Sequence, residues 1–394
     1  MHSPAHLDAA LPIRPVVLQV LPALGGGGVE RGTVEMAEAI VEAGGTALVA
    51  SAGGRLAKAV EQAGGRNLTL PLDTKNPWRI WRNADLLEQV IRREHVDVIH
   101  ARSRAPGWSA WLAARRTGAH FVTTYHGAYG EDLPGKRRYN AVMARGERVI
   151  AISRFVAALI MQRHGVDPGC IRIIPRGVDP AAFDPAAVAP ERLHRLADQW
   201  RLPDGRKVVM LPGRLTGWKG QTVLIDALAR IGRRDVVGVL VGAAQGRHRY
   251  ARKLEQRAAS LGVDVRLVGD CTDMPAALLL ADAVVNASIR PEAFGRVVIE
   301  AQSMARPIIA ADHGGAVETV EHGATGWRVP PGDADALAAA IDHVLAMSPE
   351  RLAAMGARSR ASVQAQYTVA AMQDATLNVY REVLGHAPTP VLTG

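Results

Sequence analysis

Short apolar runs alternate with amphipathic stretches, and the alternation occurs twice along the 394 residues. No other feature limits the fold so strongly. In the first half the runs are PVVLQVLP, TALVAS, DVIHA, HFVTTYH, RVIAIS and IRIIP; in the second they are KVVMLPG, VVGVLVG, DVRLVGD, AVVNAS and PIIAAD. Between them lie segments with helical periodicity, such as VERGTVEMAEAIVEAG, WRNADLLEQVIRREH, QTVLIDALARIG and RYARKLEQRAASLG. Strands written as continuous apolar runs with helices between them are expected in parallel sheets covered on both faces. The stretch RGVDPAAFDPAAVAPERLHRL holds several prolines and no strand pattern, so it reads as a linker. The expectation is an α/β chain of two doubly wound Rossmann-like domains. The first covers residues 1–190 and the second 191–365. A C-terminal helix and tail, 366–394, is free to cross back onto the first domain. Such sheets bind ligands at the carboxyl ends of their strands, and two of them facing each other would bind in the cleft between.

Composition narrows the partners. Lys and Arg outnumber Asp and Glu by 47 to 38, a net charge of +9. About two thirds of that excess lies in residues 1–190. An anionic partner follows, but no recognition helix or zinc-finger spacing accompanies the charge, so nucleic acid is not expected. Two cysteines, Cys170 and Cys271, stand far apart without metal-like companions, which fits a reducing compartment. The start, MHSPAHLDAALPIR, lacks the apolar core of a signal peptide, and no run reaches the ~18 apolar residues of a membrane span. The expected location is the cytoplasm, either free or peripheral on the cytoplasmic face of the inner membrane. The basic stretch GKRRYNAVMARGER reads as a helix that is either a solvated face or a membrane-surface patch.

Four patterns at strand exits carry chemistry. GGGG at 25–28 separates a strand from a helix, where bare backbone and a helix amino end suit phosphate. A dinucleotide fingerprint would need glycine at position 31, which is Arg31, and an acidic residue where Ser51 ends the next strand. A plain glycine turn is the alternative. His126 follows a strand directly in TTYHGAYG, able to bond a substrate hydroxyl or to serve a purely structural role. Arg214 and Lys219 sit five positions apart in LPGRLTGWKG, a fork and a point charge that suit a diphosphate or, alternatively, face solvent. Glu292 lies in a loop and Glu300 about two turns inside the next helix in RPEAFGRVVIEAQSMA, placed to reach different parts of one ligand or to be ordinary helix carboxylates. Asp333 and Asp335 resemble an acidic metal triplet, but Asp333 reads better as a helix cap.

Together these residues resemble the retaining glycosyltransferases of family 4, of the GT-B fold and the bacterial cell-surface glycan type. The resemblance spans almost the whole chain and is most specific in PEAFGRVVIEAQSMARPIIAADHGGAVETVEHGATGWRVPPGD. It implies transfer of a hexose or N-acetylhexosamine from a nucleotide sugar, UDP- rather than GDP-linked, to a glycan or lipid-linked acceptor of lipopolysaccharide or capsule synthesis. It implies no metal and no other cofactor. It implies that His126, Glu292, Arg214 and Lys219 are catalytic. Gly27 and Gly28 approach the diphosphate or acceptor. The backbone at Phe294, Gly295, Arg296 and Val297 lies against the sugar and diphosphate, Glu300 bonds the ribose, and Cys271 to Met274 flank the base. An anionic membrane surface is an expected partner. A sugar-nucleotide epimerase of similar fold and a noncatalytic sugar-nucleotide-binding protein are the competing readings.

Overall fold

The computed structural model describes residues 14–386, and the amino-terminal stretch before Arg14 and the tail after His386 lie outside the described residues. The chain forms two compact units. The first comprises residues up to Arg176 together with those from Val369 onward, and the second runs from Gly177 to Thr368.

The first unit holds a seven-stranded sheet: β1 (Val16–Val20), β2 (Thr46–Ser51), β3 (Arg66–Thr69), β4 (Val98–Ala101), β5 (His120–Tyr125), β6 (Arg148–Ala151) and β7 (Ile171–Ile173). Their order is β3-β2-β1-β4-β5-β6-β7 and every pair is parallel. Val17 pairs with Ala47 on one side and Val98 on the other. The second unit repeats the plan with β8 (Lys207–Pro212), β9 (Val236–Val241), β10 (Val265–Gly269), β11 (Ala283–Asn286), β12 (Ile308–Ala311) and β13 (Trp327–Val329). Their order is β10-β9-β8-β11-β12-β13, again all parallel. In both sheets the winding reverses beside the first strand, between β1 and β4 and between β8 and β11. Connections leaving neighbouring strands in opposite directions open a crevice there at the carboxyl edge.

β3 and β13 have no counterpart among the apolar runs. Each is the last strand of its sheet, and each is short: β3 reads RNLT, and β13 is WRV with a half-buried Arg328 at its centre. RNLT has no fully buried residue, and the three residues of WRV are too few for a run to show, although Trp327 and Val329 are buried. The basic stretch at 135–148 is not one helix. Lys136–Asn140 is helical, and the chain then tightens into a 3-10 turn, Ala141–Ala144. Val142 and Met143 are fully buried, and the Met143 carbonyl accepts from the Thr123 hydroxyl at 2.7 Å, which holds the turn in place.

Residues 177–190, read as the end of the first domain, belong to the second unit. Buried Val178, Phe183 and Val188 explain this. The Phe183 carbonyl accepts from Ser303 Oγ at 2.9 Å, and Asp184 takes a two-point bond from Arg360 at 2.7 and 3.0 Å. The helix Val369–Val383 packs in the first unit through Met372, Leu377, Val379 and Tyr380, which join a core of Val17, Met36, Ile40, Val49, Val98, Val122 and Ile150. The core of the second unit gathers Val209, Leu211, Leu224, Leu240, Val285, Ile309, Leu337 and Ile341. Each such side chain is worth ~1.5–3 kcal/mol on leaving water. Asp333 is a cap: its carboxylate accepts from the backbone of Asp335 and Ala336. No helix among the described residues is long and apolar enough to cross a membrane.

Candidate functional site

At the winding reversal of the second sheet, two loops leave β8 and β11 side by side. The β8 loop carries Arg214 and Lys219, and its shape is fixed from within. Gln221 donates its side-chain amide to the Arg214 carbonyl at 2.9 Å. Gly220 has φ +76°, and a Cβ there would meet the Ala287 carbonyl oxygen at 1.9 Å. Only glycine lets the β8 loop lie so close to the strand exit of β11. The Arg214 side chain is exposed, whereas Lys219 is largely covered.

The β11 loop carries Glu292, and the HGG sequence after β12 clamps it. Gly314 has φ +63°, and a Cβ on it would lie 2.4 Å from the Glu292 carbonyl oxygen. Gly315 donates its backbone N–H to that oxygen at 2.9 Å, and His313 Nε2 bonds the Ser288 carbonyl at 2.7 Å. The carboxylate of Glu292 accepts from the Ser288 hydroxyl and ion-pairs with Lys219 Nζ at 2.8 Å. Both side chains of that pair are about 85% covered, at 15% and 13% exposure. Burial pushes the Glu292 carboxyl up, but the Lys219 ammonium, its hydrogen bond and that of Ser288 outweigh it and hold the carboxyl below its ordinary value. Lys219 Nζ also stands 4.7 Å from the centre of the Trp218 ring.

The other candidates lie on the same edge. Gly295, at φ +82°, caps the helix Arg296–Ser303. Glu300 therefore stands one turn inside this helix, not two, because the helix begins at Arg296 itself. Arg296 reaches Glu300 at 3.2 Å as an i,i+4 pair. The Phe294 ring is buried against Tyr367, with centroids 5.8 Å apart, and only its backbone faces the loop. Val297 is half-buried. Cys271 and Met274 sit in the segment after β10. There Asp273 caps the next helix and takes a two-point bond from Arg192 at 2.6 and 2.9 Å. Burial raises the Cys271 thiol above its usual value. One concave surface here escaped the sequence reading. It is lined by Thr216, Gly217, Arg247, Arg249, Tyr250 and Lys253. Its cations sit in an ordinary-looking charged helix, and only the fold brings them beside the β8 loop.

In the first unit, Gly27 caps the helix Gly28–Glu42. Neither backbone angle nor fixed neighbours demand glycine in this loop, because only the movable ends of Arg55 and Glu30 approach it. A Cβ on Gly26 would strike the Arg55 guanidinium at 1.7 Å, while Gly25 and Gly28 have nothing within 4 Å. His126 lies at the exit of β5, and Arg176 Nη2 donates to its Nδ1 at 3.1 Å. Arginine cannot accept, so Nδ1 carries no proton and the ring N–H is at Nε2. That Nε2 is buried without a hydrogen-bond partner among the described residues. Burial, then Arg176, Arg102 and His100, hold the ring well below the usual histidine range, so it is neutral at pH 7. Arg102, Arg176 and the fully buried His100 stand at the same edge, and no motif in the sequence marks them. His100 bonds Tyr380 Oη and Thr124 Oγ1, each at 2.7 Å.

Residues 26–182 match the family model described as Glycosyltransferase Family 4, and residues 194–362 match Glycosyl transferases group 1. The chain belongs to glycosyltransferase family 4. A D-inositol 3-phosphate glycosyltransferase of Salinispora arenicola is 32% identical over 68% of this chain and 65% of its own length. The chain thus spans just under two thirds of that relative. A GDP-mannose-dependent alpha-(1-6)-phosphatidylinositol monomannoside mannosyltransferase of Mycolicibacterium smegmatis is 30% identical over 70% of this chain and 74% of its own. Among solved structures, a glycosyltransferase of Rickettsia africae has a TM-score of 0.87 and 35% identity, over 94% of this chain and 99% of its own. The Anabaena protein HepE, in complex with UDP-glucose, has a TM-score of 0.81 and 26% identity, over 93% and 99%.

Proposed function

We propose that this chain is a retaining glycosyltransferase that moves a hexose or N-acetylhexosamine from a nucleotide sugar to a glycan or lipid-linked acceptor without a metal. The observation that carries this reading is the covered Lys219–Glu292 pair at the winding reversal of the second sheet, beside Arg214. An ammonium has three N–H donors, so bonding Glu292 leaves Lys219 two for a diphosphate. Arg214 adds a two-point fork. These cations stabilise the charge that builds on the diphosphate as the bond to the anomeric carbon breaks. The acceptor oxygen bonds that carbon from the leaving-group face, and the hydroxyl proton passes to the departing diphosphate. A second anion-binding element, the amino end of the helix Gln221–Ile231, opens beside the same loop.

Glu292 accepts from hydroxyls of the transferred sugar, and Glu300 from the ribose. Backbone from Gly295 to Val297 lies along the sugar and diphosphate, and Cys271 to Met274 flank the base. Gly27 and Gly28 leave room for substrate at the first unit. His126 donates from Nε2–H to the donor sugar. Being neutral and already accepting at Nδ1, it is a hydrogen-bond donor and not a base.

A UDP-sugar is the favoured donor, in line with the UDP-glucose complex of HepE, with GDP-mannose the rival that the mycobacterial relative suggests. A lipid-linked acceptor of cell-surface polysaccharide synthesis at an anionic membrane is supported by the helix Pro77–Glu94. It exposes Trp78 at 82% and Trp81 at 54%, with Arg79 and Arg82 between and beside them. Interfacial tryptophans with basic neighbours suit a headgroup region.

Thermal unfolding with UDP-, GDP- and ADP-sugars tests the donor. One nucleotide class should raise the midpoint saturably. A chain that responds to none of them refutes the reading. Product analysis with donor alone separates transfer from epimerisation. Flotation with anionic vesicles at low salt tests the membrane part, and Trp78→Ala with Trp81→Ala should abolish it.

A further inference from the structure

A cavity of about 440 Å³ lies on the second unit, walled by Thr216 and Gly217 of the β8 loop and by Arg247, Arg249, Tyr250 and Lys253. The last three stand in the helix His248–Ser260, which follows β9. β9 and β11 flank β8 on opposite sides, so this cavity and the Lys219–Glu292 pair use different parts of the same loop. Its walls are held in place. Leu254 and Ala258 bury one face of the helix in the core of the second unit. Tyr250 donates its hydroxyl to Gln221 Oε1 at 3.2 Å, and Gln221 donates its own amide to the Arg214 carbonyl at 2.9 Å. Thr216 is 8% exposed, and its Oγ1 is buried without a hydrogen-bond partner among the described residues.

The cations on this cavity are left unbalanced. Among the described residues the side chains of Arg247, Arg249 and Lys253 have no carboxylate partner. Further along the same helix, by contrast, Arg257 holds Asp226 at two points, 2.5 and 2.7 Å. Arg249 and Lys253 are four residues apart on a helix, where like charges repel. The helix starts with Arg247 at its cap position, without a side chain bonded to the first N–H groups and without an acidic residue in the first turn. That end already carries the positive pole of the helix, so cations there add to the potential instead of offsetting it. A hydroxyl cut off from water, an uncapped helix end and three cations thus meet on one concave surface. Among the described residues the chain supplies no anion for them.

We propose that this cavity is an anion site that takes a phosphate monoester, bound alongside the nucleotide sugar and not part of it. Such a group carries a charge of about −1.5 to −2 at pH 7 and three strong acceptor oxygens. That is enough to engage the two guanidinium forks and the ammonium together, whereas a planar carboxylate is satisfied by one fork. The half-buried ring of Tyr250 and the alkyl stems of the long side chains offer apolar surface to the body of an ester. Occupation alongside a nucleotide sugar rests on the glycosyltransferase reading; the anion site itself does not.

Isothermal titration of the full chain saturated with UDP tests it, with glucose 6-phosphate, glycerol 3-phosphate and acetate as probes. At about 0.15 M salt, attraction between exposed charges is screened beyond ~8 Å. UDP fills the diphosphate site at Arg214 and Lys219, so an ester bound in its presence lies elsewhere. At least one ester should bind saturably and at least tenfold more tightly than acetate; the tighter of the two tells a sugar phosphate from a lipid headgroup. Arg249→Gln and Lys253→Gln should each weaken that ester at least fivefold while changing UDP affinity less than twofold. Thr216→Val, which removes the unbonded hydroxyl, should weaken it as well. Arg252→Gln, exposed on the same helix but outside the cavity, should change it less than twofold. Ester affinity unchanged in the Arg249 and Lys253 variants overturns the site, as does an equal loss in Arg252→Gln, which marks attraction to net charge alone. Ester binding that UDP abolishes places these cations in the donor site and overturns the proposal too. In a chain that takes no nucleotide, the same titrations without UDP decide: an ester that needs Arg249 keeps the site, and one that ignores it removes it.

Discussion

At the scale of single residues, the pairing of Lys219 with Glu292 sets a sharp expectation. Lys219→Ala leaves a covered carboxylate without its cation, which costs ~3–5 kcal/mol. Glu292→Gln in the same chain removes the stranded charge and should restore much of that loss in urea unfolding. Strictly additive costs would show that the two side chains are not coupled. Sugar-nucleotide binding should fall in the single variants and in the double. The two histidines of the first unit give a pH expectation. His100 and His126 are held well below the usual range in the folded chain and return to about 6.5 on unfolding. Their contribution is therefore complete above pH 6.5 and is lost as pH falls below it, by about 1.4 kcal/mol per pH unit for each ring. His126→Gln should remove one ring's share of that slope between pH 6.5 and 5, measured by urea midpoints; an unchanged slope would show that His126 is protonated in the folded chain. The residue types were legible in the sequence: Glu292, Lys219 and His126 all stand at strand exits. Their partners were not, because Lys219 meets Glu292 only through the β8–β11 adjacency that follows from the reversal of winding. Arg176 meets His126 through a strand fifty positions later.

At the scale of elements, strands were readable where a run of apolar residues was long enough to show, as in VVGVLV of β9 and even in the edge strands β7 and β10, and unreadable in the short, polar RNLT of β3 and the three-residue WRV of β13. The helix Val369–Val383 shows a different limit. Its apolar stripe of Met372, Thr376, Leu377 and Tyr380 marks a buried face, but nothing in it says which core receives it. That is settled by a partner 280 positions away, where Tyr380 Oη meets His100 Nδ1 at 2.7 Å, and by Glu382 binding Arg148 on β6 and Arg172 on β7. Tyr380→Phe should therefore cost ~1–3 kcal/mol, since it leaves the buried ring nitrogen of His100 unbonded. The loss should appear in the unfolding of the first unit. A Tyr380→Phe chain as stable as wild type would show that water takes the place of the Tyr380 hydroxyl at His100 Nδ1.

At the scale of the whole molecule, the two units differ in how the chain builds them. The second is one continuous stretch, Gly177 to Thr368, whereas the first is closed by residues from both sides of it. All proposed donor contacts except Gly27, Gly28 and His126 lie in the continuous stretch, at the carboxyl edge of one sheet with its own core. A fragment of residues 177–368 should accordingly unfold cooperatively. The nucleotide that stabilises the full chain should stabilise the fragment too, by about 2.7 kcal/mol at a concentration one hundred times its dissociation constant. A fragment of residues 14–176 should not fold to the same degree, because it leaves His100 without Tyr380 and the Ile40, Val49 and Val98 core without Met372 and Leu377. The two outcomes bear on different arguments. A second-unit fragment that folds but ignores the nucleotide places essential donor contacts in the first unit, and the glycine loop and His126 become the residues to test. A first-unit fragment that folds fully without the C-terminal helix would mean that the His100–Tyr380 contact is dispensable, and the cost assigned to Tyr380→Phe would fall with it.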